Sequence, residues 1–523
     1  MTERLRQADG RGKPDGLSLK ANVKPLPASV DVIVIGGGPA GAASARLLAG
    51  WGYAVLLLTK SAAHSSGLAE ALPPSCSKLL AAVGLLDTVE CAGFYRTRGN
   101  TVWWGESEQR SEAFSSGAGY QVVRSELERV LLSGAEAGGA LVRRGATVQQ
   151  VEVELGEARV VHQDADGARV TTLARSVLDC SGRAGVIARR GHRLPDAGRV
   201  TIALTGIWRR VGGWDLPDET HTLVESYSDG WAWSVPTSSD VRYVTVMVDP
   251  RTTQLQRERS FESIYRAELD KTRQLRRRLT DASPLEGPQA CDASLYTACR
   301  FGGRLFLLVG DAASFIDPLS SFGVKKALGS AWLAAIVTHT RLTRPEMAES
   351  ALELFGAREQ KMYESARRHA AMFFADGSAA HHHPFWDDRA ELSDSSAEAS
   401  EHDIEVMRAD PDVRVAFDVL KQAPAIRLRA SDRGQMIFRP AVQGREVVLE
   451  RRLVVEGWTP PGEGIRFLKG VDLPRLIEMA AGHTQVPDLF EAYQRTASPV
   501  GLPDFLGALS VLLAKGVVSN EVA

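Results

Sequence analysis

The sequence predicts an α/β fold carrying an inserted antiparallel β-sheet and a helical C-terminal domain, and three observations support this. A short apolar run, Asp31 to Ile35, leads straight into Gly36-Gly37-Gly38-Pro39-Ala40-Gly41, which reads as a buried parallel strand turning into a helix. Residues 200 to 250 alternate Thr, Val, Trp and Tyr, as half-buried antiparallel strands do. The remainder, 403–523, reads as a smaller and mainly helical unit.

Taken in order, residues 1–28 are polar, with Gly, Pro and both charge signs, and are expected to be disordered, without the apolar stretch of a secretory signal. After the first strand a helix is expected from Ala42 to Ala49 and a second strand from Ala54 to Leu58. In that βαβ context the glycines have separate roles: Gly36 permits the tight turn, Gly38 lets a pyrophosphate approach the backbone, and Gly41 lets helix and strand pack closely. The freed N–H groups at the helix start then face the phosphates. This is a Rossmann-type dinucleotide-binding unit. A helix is expected over Gln121 to Leu132, strands over Ala146 to Val153 and Ala158 to His162, and a strand ending in a tight turn over Val177 to Arg183. Arg304 to Gly310 reads as another apolar strand, Val324 to His339 as a helix, and Met347 to about Phe374 as a long amphipathic helix. Residues 29–375 are thus expected to form the nucleotide-binding domain with an interleaved substrate domain. Residues 376–402, rich in His, Asp, Ser, Ala and Glu, are expected to be an exposed linker.

Bulk composition excludes several functions. With 44% hydrophobic and 24% charged residues and a formal net charge of -2, the chain has no basic field to hold nucleic acid or an anionic membrane. No stretch reaches the roughly 18 apolar residues of a membrane span. Five scattered cysteines suggest neither a disulfide framework nor a zinc site, and fit a reducing cytoplasm. His381-His382-His383 lies in the linker-like stretch without spaced partners, so no metal is expected.

Four segments carry a resemblance: the glycine-rich turn; Ala69-Glu70-Ala71-Leu72-Pro73-Pro74-Ser75; Asp179-Cys180-Ser181-Gly182-Arg183; and the run from Gly310-Asp311 through Asp317-Pro318 to Gly323-Val324. Together they resemble the FAD-dependent aromatic monooxygenase superfamily, in its flavin-dependent (tryptophan) halogenase branch. The resemblance implies FAD as cofactor, held by Gly36, Gly38, Pro39, Ala40, Gly41, Thr59, Lys60, Arg124, Asp311, Gly323 and Val324, with halide at Phe322 and Gly323. Asp311 can accept a hydrogen bond from a ribityl hydroxyl, and Arg124 stands where the family places an arginine on the pyrophosphate; the alternative for Arg124 is an ordinary surface residue. Gly230-Trp231-Ala232-Trp233-Ser234-Val235-Pro236 is similar to the halogenase signature G-W-x-W-x-I-P. There the resemblance implies that Trp231 and Trp233 keep the organic substrate from the flavin so that halide is oxidised instead. As an alternative they are strand-core aromatics. Glu70 is a candidate acid/base or flavin-orienting group, or else a solvated loop carboxylate.

Two positions depart from the pattern. The family's lysine that handles hypohalous acid is replaced by Thr97 in Thr97-Arg98-Gly99-Asn100-Thr101-Val102-Trp103-Trp104-Gly105, and a glutamate of the free-tryptophan halogenases is replaced by Ser320. Arg96, Arg98, Lys78 and Lys325 are the neighbouring cations that can be considered as substitutes. A further departure is Thr59, where many FAD proteins place an acid on the ribose. One fingerprint alone implies a separate flavin reductase supplying reduced FAD. The expected activity is halogenation of tryptophan or a related indole, phenol or pyrrole, free or carrier-bound, in secondary metabolism. Hydroxylation on the same fold, and a non-catalytic flavoprotein partner in a biosynthetic assembly, stand as alternatives.

Overall fold

The computed structural model describes residues 27–60, 68–105, 109–153, 156–196, 199–253, 260–390, 410–422, 425–459, 462–496 and 499–521. The disorder expected at 1–28 lies almost wholly outside them. Valine, isoleucine and leucine fill the strands Ser29–Ile35 and Val55–Thr59, whose central residues are fully buried, as strands covered on both faces require. They belong to a seven-stranded sheet in which Leu141–Arg144, Val55–Thr59, Ser29–Ile35 and Arg169–Asp179 lie side by side and parallel. Phe306–Leu308 adds a parallel strand on the far edge of Arg169–Asp179, and Ala158–Gln163 and Thr147–Glu152 extend that edge antiparallel. Helices Pro39–Gly50, Arg124–Ala137 and Gly323–Thr343 pack on the sheet through one large core.

The second sheet, also seven-stranded, runs Ser283–Asp292, Ile202–Arg209, Val241–Val248, Gly230–Pro236, Thr222–Tyr227, Gly99–Trp103 and Arg110–Ala113. All its pairings are antiparallel except Thr222–Tyr227 with Gly99–Trp103. A three-stranded sheet, with Gly119–Val123 between Ala69–Leu72 and Tyr95–Thr97, bridges the two. The helix expected from Gln121 therefore begins only at Arg124. Gly119, Tyr120, Gln121 and Val122 are buried in strand pairing, and tertiary contact there overrides local helix preference.

The linker expected at 376–402 is corrected as far as Ala390. The long helix continues to His381, and after a left-handed turn at His382 a short helix covers Pro384–Ala390. Trp386 and Phe385 are fully buried there, and the Trp386 indole N–H donates to the carbonyls of Tyr227 and Ser228 at 3.1 Å each. Some of the polar residues of the segment are turned inward as well: Arg389 is buried and donates to Asp249 at 3.2 Å. His381 bonds the Ser226 hydroxyl at 3.1 Å and stacks on Trp386, and His383 accepts the Phe385 N–H. Residues 391–409 lie outside the described residues.

The C-terminal region has its own core, around Leu473, Leu476, Tyr493, Phe505 and Leu509. Helices Pro411–Gln422, Leu473–Ala480, Val486–Thr496 and Leu502–Ala514 build it, together with a hairpin of Gln435–Gln443 and Glu446–Val454. That hairpin docks on the first domain, where Val447 N–H donates to Thr340 at 2.8 Å and Arg344 pairs with Glu446 at 3.3 Å. Among the described residues no helix is long and apolar enough to cross a membrane.

Candidate active site

Four segments distant in sequence meet at the carboxyl ends of the central strands, where open α/β sheets bind ligands. Gly36 adopts φ 106°, and a Cβ there would lie 2.3 Å from the Cys180 carbonyl oxygen, while one on Gly41 would lie 1.9 Å from the Gly36 oxygen. Both positions therefore admit only glycine. Gly38 is different: a Cβ there would find Arg124 Nη2 and Glu128 Oε1 as its nearest neighbours, at 3.4 and 3.5 Å. Its backbone stays open on the side Arg124 guards. Pro39 takes the first helical position and Ala40 is buried behind it, as a helix presenting free N–H groups needs.

Arg124 donates to Glu70 at 2.5 Å and to Glu128 at 2.7 Å, and the two carboxylates hold its guanidinium charged well above its ordinary range, against the opposing effect of burial. Glu70 is thus an ion-pair partner of Arg124, whose side chain is partly buried. Thr59 ends its strand beneath Gly37, 2.6 Å from where a Gly37 Cβ would stand. Its hydroxyl donates to the Lys60 carbonyl at 3.3 Å, and Lys60 itself is exposed.

Asp179 organises the second turn by accepting from Ser181 N–H, Ser181 hydroxyl, Ile187 N–H and Ala188 N–H. The third, Gly310–Ala312, is a 3-10 turn that begins with φ 63° at Gly310. Lys326, from the following helix, reaches back under this turn. Its ammonium group lies 3.0 Å from the Gly310 oxygen and 3.4 Å from Asp311 Oδ1, and it also donates to the Ser314 carbonyl. Ser330 accepts the Gly310 N–H at 2.9 Å. The sequence motifs draw attention to Lys325 and not to its neighbour Lys326. A signal for Lys326 exists all the same, since a lysine within the apolar face Val324, Ala327, Leu328 must be buried with partners.

Beyond this turn, Pro318–Ser320 is a second 3-10 turn capped by Asp317, and Phe322 leads into Gly323–Thr343. Val324 is buried; Phe322 and Gly323 are open to solvent at the helix start. The side chain of Ser320 lies outside the described residues. Lys325 stands over the Phe322 ring at 4.7 Å. Of the other cations, Arg96 lies on Tyr120 at 4.3 Å, and Arg98 and Lys78 are exposed. Burial raises the Asp317 carboxyl to about 6, opposed by the Leu319 N–H and by Arg389.

Trp231 and Trp233 stack, with ring centroids 5.0 Å apart and an interplanar angle of 28°. Trp231 also meets the edge of Trp104 at 6.2 Å. Both indoles share one hydrophobic cluster with Phe315 and Leu319 from the Gly310–Val324 run, and with Phe374, Phe385 and Trp386 from the helical hairpin. Strand alternation brings them to the same face. That hairpin packs against them. Thr97 is buried, pairs with Gly119, and spends its hydroxyl on the Gly99 carbonyl at 3.2 Å. It has no charge to offer.

Residues 29–336 match the family model described as FAD binding domain. The chain belongs to this FAD-binding family. Among its relatives are flavin-dependent halogenases: it is 30% identical over 324 residues to a tryptophan 2-halogenase of Chondromyces crocatus, covering 59% of this chain and 61% of that protein. The chain thus spans less than two thirds of that relative. Two solved structures share the architecture over 94% of this chain. One is CmlS, a flavin-dependent halogenase, with TM-score 0.72, 20% identity and 96% of its chain covered. The other is the peptidyl tryptophan dihydroxylase QhpG, with TM-score 0.67, 23% identity and all of its chain covered. The α/β FAD-binding fold with inserted sheet and helical C-terminal region is therefore shared, and the cofactor is FAD. The open backbone at Gly38 beside Arg124, and Asp311 held on its turn, fit that cofactor.

Proposed function

We propose that this FAD-dependent oxidoreductase is a halogenase that uses reduced FAD, oxygen and chloride or bromide to halogenate an electron-rich aromatic substrate, with tryptophan or a related indole foremost. FAD supplies the oxygen activation when bound. In this reading Gly36, Gly38, Pro39, Ala40, Gly41 and Arg124 hold its pyrophosphate, Thr59 and Lys60 its adenosine side, and Asp311 its ribityl chain. Gly323 and Val324, at a helix start rich in free N–H groups, face its ring. Phe322 and Gly323 receive the halide, since backbone N–H groups there favour an anion. Glu70 orients Arg124. A separate flavin reductase supplies reduced FAD, because one dinucleotide turn serves one dinucleotide.

The observation that carries the reading is the stacked pair Trp231 and Trp233, packed with Phe315 and Leu319 of the flavin loop. A wall of two rings admits a small anion and excludes an aromatic acceptor. The test is product mass. Purified chain with FAD, a flavin reductase, NADH, oxygen, bromide and tryptophan should give a product carrying the bromine isotope pair. Its absence across tryptophan, simple indoles, phenols and pyrroles contradicts the reading.

One observation favours a second reading, hydroxylation. Thr97 stands where halogenases carry an amine, and its hydroxyl is already engaged. Halogenation here requires another cation, and Lys325, against Phe322 at the helix start, is the one we favour. A product heavier by oxygen, indifferent to halide, supports hydroxylation. Fold does not choose between the two.

A further inference from the structure

A cavity of about 510 Å³ opens at the opposite end of helix Gly323–Thr343 from the flavin site. At 1.5 Å per residue Thr338 lies about 22 Å from Gly323, so the two places do not overlap. Four guanidinium groups line the cavity, those of Arg175, Arg300, Arg304 and Arg341. Two carboxylates oppose them: Glu349 in the wall, and Asp31, paired with Arg175 at 3.2 Å. Cations therefore outnumber anions.

Part of this charge serves the fold. Arg175 donates to the Leu342 carbonyl at 3.1 Å and Arg341 to the Gly303 carbonyl at 2.9 Å, which offsets the negative end of the helix. Two features remain unexplained by that role. Arg304 is exposed and has no hydrogen bond or ion pair among the described residues. In addition, three polar atoms on lining residues are shut off from bulk water without a partner: Ser176 Oγ, Thr338 Oγ1 and Arg341 Nη1. Burial pulls the Arg341 guanidinium down to about 10, the mark of a buried cation lacking a full set of acceptors. Native interiors leave few such groups, because a buried polar atom without a partner has lost its water for nothing in return. A volume within the range of ligand pockets, with donors in its wall and surplus guanidinium at its mouth, suits an acceptor-rich anion.

We propose that this cavity binds the phosphate monoester of a small molecule, with the phosphate held by Arg304 and Arg341 and a small rotation of Thr338 and Ser176 bringing their hydroxyls onto it. The site is separate from the flavin cleft and independent of which reaction that cleft performs.

The test is isothermal titration of the FAD-loaded full chain with inorganic phosphate, adenosine 5′-monophosphate and glycerol 3-phosphate. One monoester should saturate at a single site, and its Kd should rise about tenfold or more in Arg341→Met and in Arg304→Ala, with FAD content unchanged. Preference for the nucleotide points to a soluble metabolite, and preference for glycerol 3-phosphate to a lipid headgroup; either supports the site. No saturable heat, binding of inorganic phosphate alone, or unchanged Kd in Arg304→Ala overturns it. Arg304 is exposed, so that variant remains a fair test should Arg341→Met fold poorly.

Discussion

Replacing Lys326 by methionine keeps the stem of the side chain and removes its charge, which isolates what the ammonium group does beneath the flavin turn. The Gly310 oxygen would keep the Ala313 and Ser314 N–H groups, at 3.0 and 3.3 Å, so its loss is partial. The Ser314 carbonyl, which accepts from the Lys326 ammonium, would be left without that donor, at about 1–3 kcal/mol. The bond to Asp311 at 3.4 Å is long and adds little. Methionine also escapes the desolvation of a buried ammonium, which offsets part of the loss. A net destabilisation of about 2 kcal/mol follows, or about 2–3 °C in Tm for a domain of roughly 350 residues at about 2.1 cal/mol/K per residue. Asp311 would lose its fixed position, so the Kd for FAD, read by flavin fluorescence quenching, should rise about tenfold, equivalent to about 1.4 kcal/mol. Buried Glu359 adds a pH signature. Burial raises its carboxyl above 4.5 and Lys326 pulls it back. Without the lysine its folded-state value climbs further, so the proton is held more tightly folded than unfolded, and the stability deficit of the variant widens as pH rises above that of a free carboxyl. A Tm and FAD affinity equal to the wild type would refute the clamp.

Gly41→Ala places a Cβ 1.9 Å from the Gly36 oxygen, so the strand–helix turn must open; purified protein should lack the visible absorbance of bound flavin. Arg124→Ala removes the cation proposed to hold the pyrophosphate and leaves Glu70 and Glu128 in its place, which should weaken FAD about tenfold to a hundredfold; the double change with Glu70→Ala should recover part of that in the same titration. Asp317 has a folded-state carboxyl raised from 3.8 to about 6, so its contribution to stability falls as pH rises between those values. Asp317→Asn, which still accepts the Leu319 N–H, should therefore gain Tm relative to the wild type between about pH 4 and pH 7; a constant difference contradicts the assignment.

Local signals carried most of the fold. Glycine spacing at Gly36, Gly38 and Gly41 located the βαβ unit, because the close approach of Gly41 to the Gly36 oxygen is a requirement any reading of backbone sterics recovers. Alternation in residues 200–250 likewise located the second sheet. What was not legible depended on partners distant in the chain. The run around Gln121 folds as a strand because Ala69–Leu72 and Tyr95–Thr97 flank it. The His- and Asp-rich stretch around Trp386 is helical because its two aromatics find the carbonyls of Tyr227 and Ser228 and the rings of Trp104 and Phe374. Pro384 before Phe385-Trp386 was a helix-start signal that composition hid. At the candidate site, the motifs located the turns. The Arg124–Glu70 pair, separated by 54 positions, and the inward reach of Lys326 emerged only in three dimensions.

The proposed chemistry rests on the two indoles, and their removal tests it most directly. Trp231→Ala empties a site that is 2% exposed and breaks two ring contacts, a loss of about 3–5 kcal/mol in a packed core; Trp231→Phe keeps a ring there and serves as the folding control. The measurement is the ratio of brominated to oxygenated product by mass spectrometry, with bromide and tryptophan present and FAD saturating. The account predicts bromination by the wild type and by Trp231→Phe, with oxygen transfer appearing in Trp231→Ala. An unchanged ratio in a folded, FAD-loaded Trp231→Ala protein would contradict it.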